Sequence, residues 1–161
     1  MANCTSHLDL ASRIDALGFQ QGQDYNVVYD STMARFWFFN DGAEMAISKA
    51  LGAAPEGRII PDSELKDLKV FFSDRRFGEL IFLVSEGTLI VPSHMGERPI
   101  TAMHGYHPDE PQSYATLMTN EPDLPSSATS IRDIHQLMLR DASMARTLNG
   151  LDLEEPELRA A

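Results

Sequence analysis

The stretch over residues 78–93, GELIFLVSEGTLIVPS, constrains the fold more than any other part of this sequence. It contains an apolar run of strand length, a Ser-Glu-Gly turn and a second short apolar run. Strands that are apolar at consecutive positions are usually covered on both faces, as in the interior of a sheet. We therefore predict two strands here, both near the interior of a sheet.

Alternating helices and strands are predicted before this stretch. Leu10, Ile14 and Leu17 share one face of a helix predicted over residues 9–17, which Gly18 ends. The segments YNVVYD and ARFWFF, separated by a turn-prone stretch, follow as a predicted hairpin. The aromatic residues of the second segment are expected to be sheet core and interface material.

A second helix is predicted from Asp41 to Gly52. Asp41 and Glu44 resemble a capping box, and the apolar side is formed by Ala43, Ala46, Ile47, Ala50 and Leu51. The letters RII then indicate a short strand, and Pro61 occupies the favoured first turn of a short helix, DSELKDL. This order predicts an α/β fold with a mixed sheet.

In the last third of the chain, the sequence predicts a strand, a loop, a helix and a tail. SYATLMT, residues 113–119, is predicted as a strand, and NEPDLPSS as a loop. In SIRDIHQLMLRDA, Ser130 and Asp133 provide the helix cap. The predicted buried stripe of this helix contains Ile131, Ile134, Leu137 and Met138. Residues 153–161 are acidic and expected to fray.

Composition excludes some classes of function. The 161 residues suit one domain, and the net charge of -11 argues against binding a nucleic-acid backbone, which requires clustered cations. A phosphorylated small molecule remains compatible, because a bound metal can supply local positive charge. The sequence contains no apolar run of about 20 residues and no secretory signal, so we expect no membrane association. If Met1 is the true start, the expected location is cytoplasmic.

Three of the five histidines lie close together in sequence, at positions 94, 104 and 107. A catalytic zinc needs three protein ligands, and a two-zinc site about six. His104 and His107 are three residues apart and on no predicted helix, so their rings need not converge. Three interpretations stay open: a complete metal site, one part of a site completed by another segment, or a solvated loop.

Three stretches together resemble a known family. They are DRRFGELIFLVSEGTLIVPSHMG (74–96), AMHGYHPDEPQSYATLM (102–118) and the helix TSIRDIHQLMLRDA. Their order and spacing resemble the C-terminal portion of the type I phosphodiesterase/nucleotide pyrophosphatase family, within the alkaline phosphatase superfamily. The similarity covers residues 24 to about 152.

The resemblance implies a metal-dependent hydrolase of phosphoric esters. In that family two divalent metals, usually zinc, bind Asp and His residues from four motifs, and a Thr or Ser nucleophile attacks phosphorus. The histidine of the His-Gly-Tyr element is a metal ligand there, and it maps onto His104. The family's nucleophile and its other metal-binding motifs have no counterpart in residues 1–73, which contain a single histidine, His7.

This resemblance defines the expected organisation of the chain. Residues 1–23 are a helical lead-in, 24–72 a cap-like α/β subdomain, and 73–152 the C-terminal part of an alkaline-phosphatase-like core. We expect His104 to be one metal ligand, with no catalytic residue in this chain and no activity alone. The alternative is a non-catalytic binding module or a subunit completing a split enzyme, whose partner would be an N-terminal chain or a second copy.

Several other residues have less specific interpretations. His94 and His107 are each expected to be outward-facing loop residues, and Tyr106 is expected to pack beneath His104. The Asp74–Arg76 segment could clamp phosphate, although a salt-bridged turn is favoured. His135 is expected to pack beside the last helix's apolar stripe, and Cys4 to be incidental, since nothing nearby would lower a thiol pKa.

Overall fold

The structure is a computed structural model that describes residues 1–119, 128 and 130–148. The chain divides into two compact units, Met1–Ala115 and Thr116–Ala161. The first is a mixed α/β unit. Within the described residues, no helix is both long and apolar enough to cross a bilayer.

The first unit contains eight short strands and three α-helices among its described residues. The strands are β1 (Ala2–Asn3), β2 (Ser6–Leu8), β3 (Tyr25–Tyr29), β4 (Met33–Phe38), β5 (Gly57–Ile59), β6 (Leu80–Val84), β7 (Thr88–Ile90) and β8 (Ala102–Met103). The helices are α1 (Leu10–Asp15), α2 (Asp41–Gly52) and α3 (Asp62–Asp67). A single 3-10 turn spans Pro111–Ser113.

A four-stranded antiparallel sheet in the order β3-β4-β6-β5 forms the centre of this unit. The predicted hairpin is confirmed, with Tyr25 opposite Phe38 and Tyr29 opposite Ala34. Its inward residues alternate along the strands, and Tyr25, Val27 and Phe36 are buried. Strand β6 lies between β4 and β5, as its apolar composition predicts.

The prediction that both strands of residues 78–93 lie in one sheet interior is wrong for the second. Strand β7 is buried at all three positions but pairs in parallel with β2, with Leu89 opposite His7. The apolar pattern correctly indicates burial, yet it carries no information on the pairing partner. Strand β2 could not be predicted from the sequence, because it is three residues long and two of these residues are exposed.

The two helices that cover the sheet begin with polar caps. Asp9 caps α1 by accepting the Ser12 amide at 3.0 Å. The predicted capping box of α2 is shifted by one residue, because Asn40 is the cap and accepts the amides of Gly42 and Ala43. The core contains Leu10 and Ile14 of α1 and Ala43, Ile47 and Leu51 of α2.

Two further predictions differ from the structure. Pro61 is the N-cap of α3, one position before the first helical turn. The strand predicted over residues 113–119 is absent: a 3-10 turn ends at Ser113, and no strand follows through Thr119. The alternating pattern there is not matched by burial, since Tyr114 and Met118 are exposed.

The second unit contains helix α4 (Ile131–Leu148). Its predicted cap is confirmed: Asp133 accepts the Ser130 amide at 2.8 Å, and the Ser130 hydroxyl accepts the Arg132 amide at 3.3 Å. The predicted buried stripe is wrong at Ile131 and Met138, which are 85% and 66% exposed. The predicted loop 120–127 and the acidic tail 153–161 lie outside the described residues.

Candidate functional site

His104 directly follows strand β8, which is positioned by the N-terminal strand of the chain. Strand β8 pairs antiparallel with β1, so that Ala2 lies opposite Met103. The His104 ring is exposed, and none of the described residues forms a hydrogen bond or ion pair with it.

Gly105 gives the loop after His104 a conformation that suits glycine. Its φ is +91°, in the left-handed region, where a side chain is strained. Its carbonyl accepts a hydrogen bond of 2.9 Å from the Thr32 hydroxyl, which belongs to the turn between β3 and β4. The backbone next to His104 is thereby attached to the central hairpin.

Tyr106 anchors the loop on the other side of Gly105. Its ring is buried, and its hydroxyl donates to the Thr88 carbonyl at 2.9 Å. The Cys4 sulfur lies 3.4 Å from the same hydroxyl, so Cys4 belongs to this anchor. Burial raises the pKa of Tyr106, and the Cys4 contact adds to the shift. The neutral phenol is therefore the form that is buried in the fold.

His107 is not the outward-facing residue that the sequence suggests. Its side chain is only 15% exposed, and its Nε2 lies 2.8 Å from Oε1 of Glu64 on α3. Its Nδ1 accepts the backbone amide of Asp109 at 3.2 Å. Sequence reasoning misses this contact because Glu64 is far away in the chain and lies in a segment with no histidine signal.

Glu64 is also paired with an arginine on the neighbouring strand. Arg58 of β5 contacts both carboxylate oxygens at 2.6 Å. The Arg58 hydrogen bonds, opposed by burial and assisted by the nearby His107, hold the pKa of Glu64 below its ordinary value. Glu64 is therefore a fully ionised carboxylate near neutral pH.

Two carboxylates lie close together beside this loop. Burial raises the pKa of Glu86, and a hydrogen bond with Glu110 raises it further. Glu86 also lines an open groove with Met1, Asn3, Thr5, Gly87 and Gln112. The loop thus presents an acidic surface on the side that contains Glu110.

His94 lies apart from His104 and has a structural contact. It is exposed, but its Nδ1 accepts the Tyr29 amide at 3.0 Å and its own amide donates to the Tyr29 carbonyl at 2.8 Å. The imidazole also stacks on the Tyr29 ring, at 6.1 Å between centroids. His94 therefore covers the free edge of β3, which blocks pairing with another strand there.

The three loop histidines do not converge. Within residues 1–119, 128 and 130–148, no three His, Cys, Asp or Glu side chains are arranged to hold a metal ion. His7 and His135 are exposed on β2 and α4, so His135 does not pack as expected. Among the three loop histidines, the family resemblance assigns a metal-binding role to His104 alone, and the described residues include no group of three ligands around it.

The favoured interpretation of residues 74–76 is confirmed. Arg76 pairs with Asp74 at 2.7 Å, and Arg75 pairs with Asp62 through two contacts of 2.7 and 2.6 Å. The Trp37 indole donates to the Arg75 carbonyl at 2.9 Å, which attaches the turn to β4. The Arg76 guanidinium is thus paired within the turn and the Arg75 guanidinium is paired with α3, so both already have carboxylate partners.

Comparisons of this chain with family models, with curated proteins and with solved structures found no match.

Proposed function

We propose that this chain is the C-terminal portion of a metal-dependent phosphodiesterase/nucleotide pyrophosphatase-like hydrolase with an alkaline-phosphatase-like fold. It contributes one metal ligand, His104, and contains no nucleophile, so it is inactive alone. The observation that carries the proposal is the setting of His104, an exposed ring directly after β8 on a loop anchored at Gly105 and Tyr106.

The metal in this proposal is a divalent cation, zinc by resemblance. His104 would bind it through one ring nitrogen, while an acceptor orients the other N–H. One histidine does not make a catalytic zinc site, which needs three protein ligands. The remaining ligands and the nucleophile would come from a segment that carries the motifs absent from residues 1–73.

The proposed organisation assigns residues 24–72 to a cap-like subdomain and 73–152 to the core. Strand β6 belongs to the second range but lies between β4 and β5 in the central sheet. The polypeptide therefore passes through the cap's sheet before it reaches β8, which His104 directly follows. A phosphorylated small molecule would be the substrate of the completed site.

Hydrolysis of bis-p-nitrophenyl phosphate with added Zn²⁺ or Mn²⁺ tests the absence of activity in the isolated chain. We expect turnover no higher than that of a His104→Ala variant. His7→Ala is a matched control, because it removes another exposed histidine. Robust hydrolysis that depends on His104 would show that the chain contains a complete site.

The DNA immediately upstream of the Met1 codon tests the origin of the missing ligands. The proposal predicts an adjacent reading frame that encodes the nucleophile and the Asp-His motifs, either as a separate subunit or as a frame-shifted part of one enzyme. An unrelated gene in that position, with no such motifs nearby, would argue against the split enzyme.

A second candidate is a non-catalytic interaction module. The β2–β7 pair favours it, because this parallel ladder of three residue pairs has no third strand among the described residues. Pairs this short depend on neighbouring structure for stability. Size-exclusion chromatography with light scattering tests whether the chain self-associates; a clean monomer would contradict a homo-oligomer.

A further inference from the structure

The loop after His104 is attached to the rest of the first unit at more than one point. The Thr32 hydroxyl donates to the Gly105 carbonyl, and the Tyr106 hydroxyl donates to the Thr88 carbonyl. Both hydrogen bonds join neutral groups. The contact of His107 with Glu64 is different, because it joins the loop to α3 through a charged group.

The protonation of the His107 ring follows from its contacts. Nδ1 accepts the Asp109 amide, so in the neutral ring the proton is on Nε2, the atom next to Glu64. Nε2 is buried, and its geometry does not satisfy the criteria for a hydrogen bond. The 2.8 Å approach of Nε2 to Oε1 is a close polar contact between the ring and the carboxylate.

Glu64 is held in place for this contact. Arg58 binds both of its oxygens from strand β5, which fixes the plane of the carboxylate. The Glu64 and His107 side chains are 24% and 15% exposed, so solvent screens their attraction less than at an open surface. The other charged groups around the pair are Asp109, 3.7 Å from Nδ1, and Glu110, which acts on Arg58.

We infer that Glu64 clamps His107 and thereby holds rigid the loop that presents His104. Glu64 and His107 are positioning residues in this proposal, since neither would touch the metal. The importance of the clamp for metal binding rests on the proposed function of His104. The clamp itself does not, because it can be measured without any metal.

Backbone order parameters from ¹⁵N relaxation of the full chain test the clamp. Rigid backbone has an order parameter of about 0.85 and flexible backbone one below about 0.6. In the wild type we expect the amides of residues 104–107 and 109 to be near the first value; Pro108 has no amide N–H. In Glu64→Gln and in His107→Gln we expect their values to fall toward the second, because the contacts of Gly105 and Tyr106 remain, and the double variant to fall no further.

Arg76→Gln is the matched control. It breaks an arginine–carboxylate pair with Asp74 that involves neither Glu64 nor His107, so the loop should stay ordered. Unchanged amide shifts in the β3–β4 hairpin show that each variant is folded. The clamp is overturned if the loop stays rigid in Glu64→Gln and His107→Gln, or if Arg76→Gln loosens it equally. Neither result depends on whether the hydrolase proposal holds.

Discussion

Single residues determine how His104 is presented. Gly105 adopts a positive φ, and a Cβ built on it would lie 3.1 Å from the Thr32 hydroxyl oxygen. The hydroxyl cannot retreat without losing its 2.9 Å bond to the Gly105 carbonyl. Glycine at this position therefore satisfies both the backbone conformation and the close approach of Thr32.

We predict that Gly105→Ala destabilises the protein. The left-handed conformation costs an L-residue about 1–2 kcal/mol, and the contact with Thr32 adds to it. Urea unfolding monitored by circular dichroism measures the difference in the free energy of unfolding. Gly52→Ala is the control, because nothing lies within 4 Å of its Cβ position and alanine favours helix. Equal stability of the two variants would contradict the strain at Gly105.

Among the secondary-structure elements, β5 is confined by its neighbour β6. A Cβ on Gly57 would lie 2.5 Å from the Leu83 carbonyl oxygen and 2.9 Å from the Val84 Cα, which are backbone atoms that cannot rotate away. Strand β5 also carries Arg58, which holds Glu64. The approach of the two strands therefore affects the loop contact as well as the sheet.

We predict that Gly57→Ala destabilises the sheet by about 1–3 kcal/mol, the usual cost of overpacking. The strands must separate to accept the methyl group, because rotamer changes cannot relieve a backbone clash. Urea midpoints measure the loss, with Gly52→Ala again as control. A midpoint equal to that of the wild type would mean that β5 and β6 are farther apart than described.

The start of helix α2 gives a prediction of its own. Asn40→Ala removes the side-chain acceptor for the Gly42 and Ala43 amides, which should cost about 0.5–2 kcal/mol. Asn40→Ser keeps a side-chain oxygen that can accept these amides and should retain more of the stability, although it also lacks the Nδ2 hydrogen bond to Asp24. Thermal unfolding of both variants provides the measurement. If both variants lose the same stability, the capping role of Asn40 is wrong.

Elements encoded by local pattern could be predicted from the sequence, and those that depend on distant pairing could not. The β3–β4 hairpin and the helices follow from alternation, caps and periodicity over neighbouring residues. The β2–β7 ladder joins residues about 80 positions apart, and no local pattern identifies the partner. The prediction of a strand over residues 113–119 is wrong for a related reason. Alternation of apolar and polar residues does not show whether a neighbouring strand is available for pairing.

The same distinction applies to the candidate site. His104 is predicted as a metal ligand from a motif; the structure shows it exposed on a loop, and its role as a ligand stays a prediction. The environment of His107 could not be predicted, because Glu64 belongs to a helix that lies 43 residues earlier. Cys4 likewise has no informative neighbours in sequence, although it contacts Tyr106 in the fold.

Across the whole molecule, ionised carboxylates stabilise the fold. Arg13 binds Glu56 through two contacts, and these hydrogen bonds are the main cause that lowers the pKa of Glu56 from its ordinary value of 4.5. The Ser12 backbone amide lowers the pKa of Asp9 in the same direction. A lowered folded-state pKa means that the stabilisation is present above the unfolded-state pKa and is lost as pH falls through the folded-state value.

We therefore predict that the free energy of unfolding falls as pH is lowered below about 4.5. Urea unfolding between about pH 7 and pH 3 measures the loss. Glu56→Gln should be less stable at neutral pH and should lose less on acidification, whereas Glu97→Gln, at an exposed position, should follow the wild type. Parallel curves for the wild type and Glu56→Gln would contradict the role of the Arg13 pair.

The central claim is that His104 is one ligand of a metal site whose other ligands lie outside this polypeptide. The most direct measurement is Zn²⁺-dependent hydrolysis of bis-p-nitrophenyl phosphate by this chain, alone and mixed with the product of the upstream reading frame. We expect no turnover alone and, in the mixture, turnover that His104→Ala abolishes and His7→Ala retains. Turnover by the chain alone, or turnover in the mixture that survives His104→Ala, would contradict it.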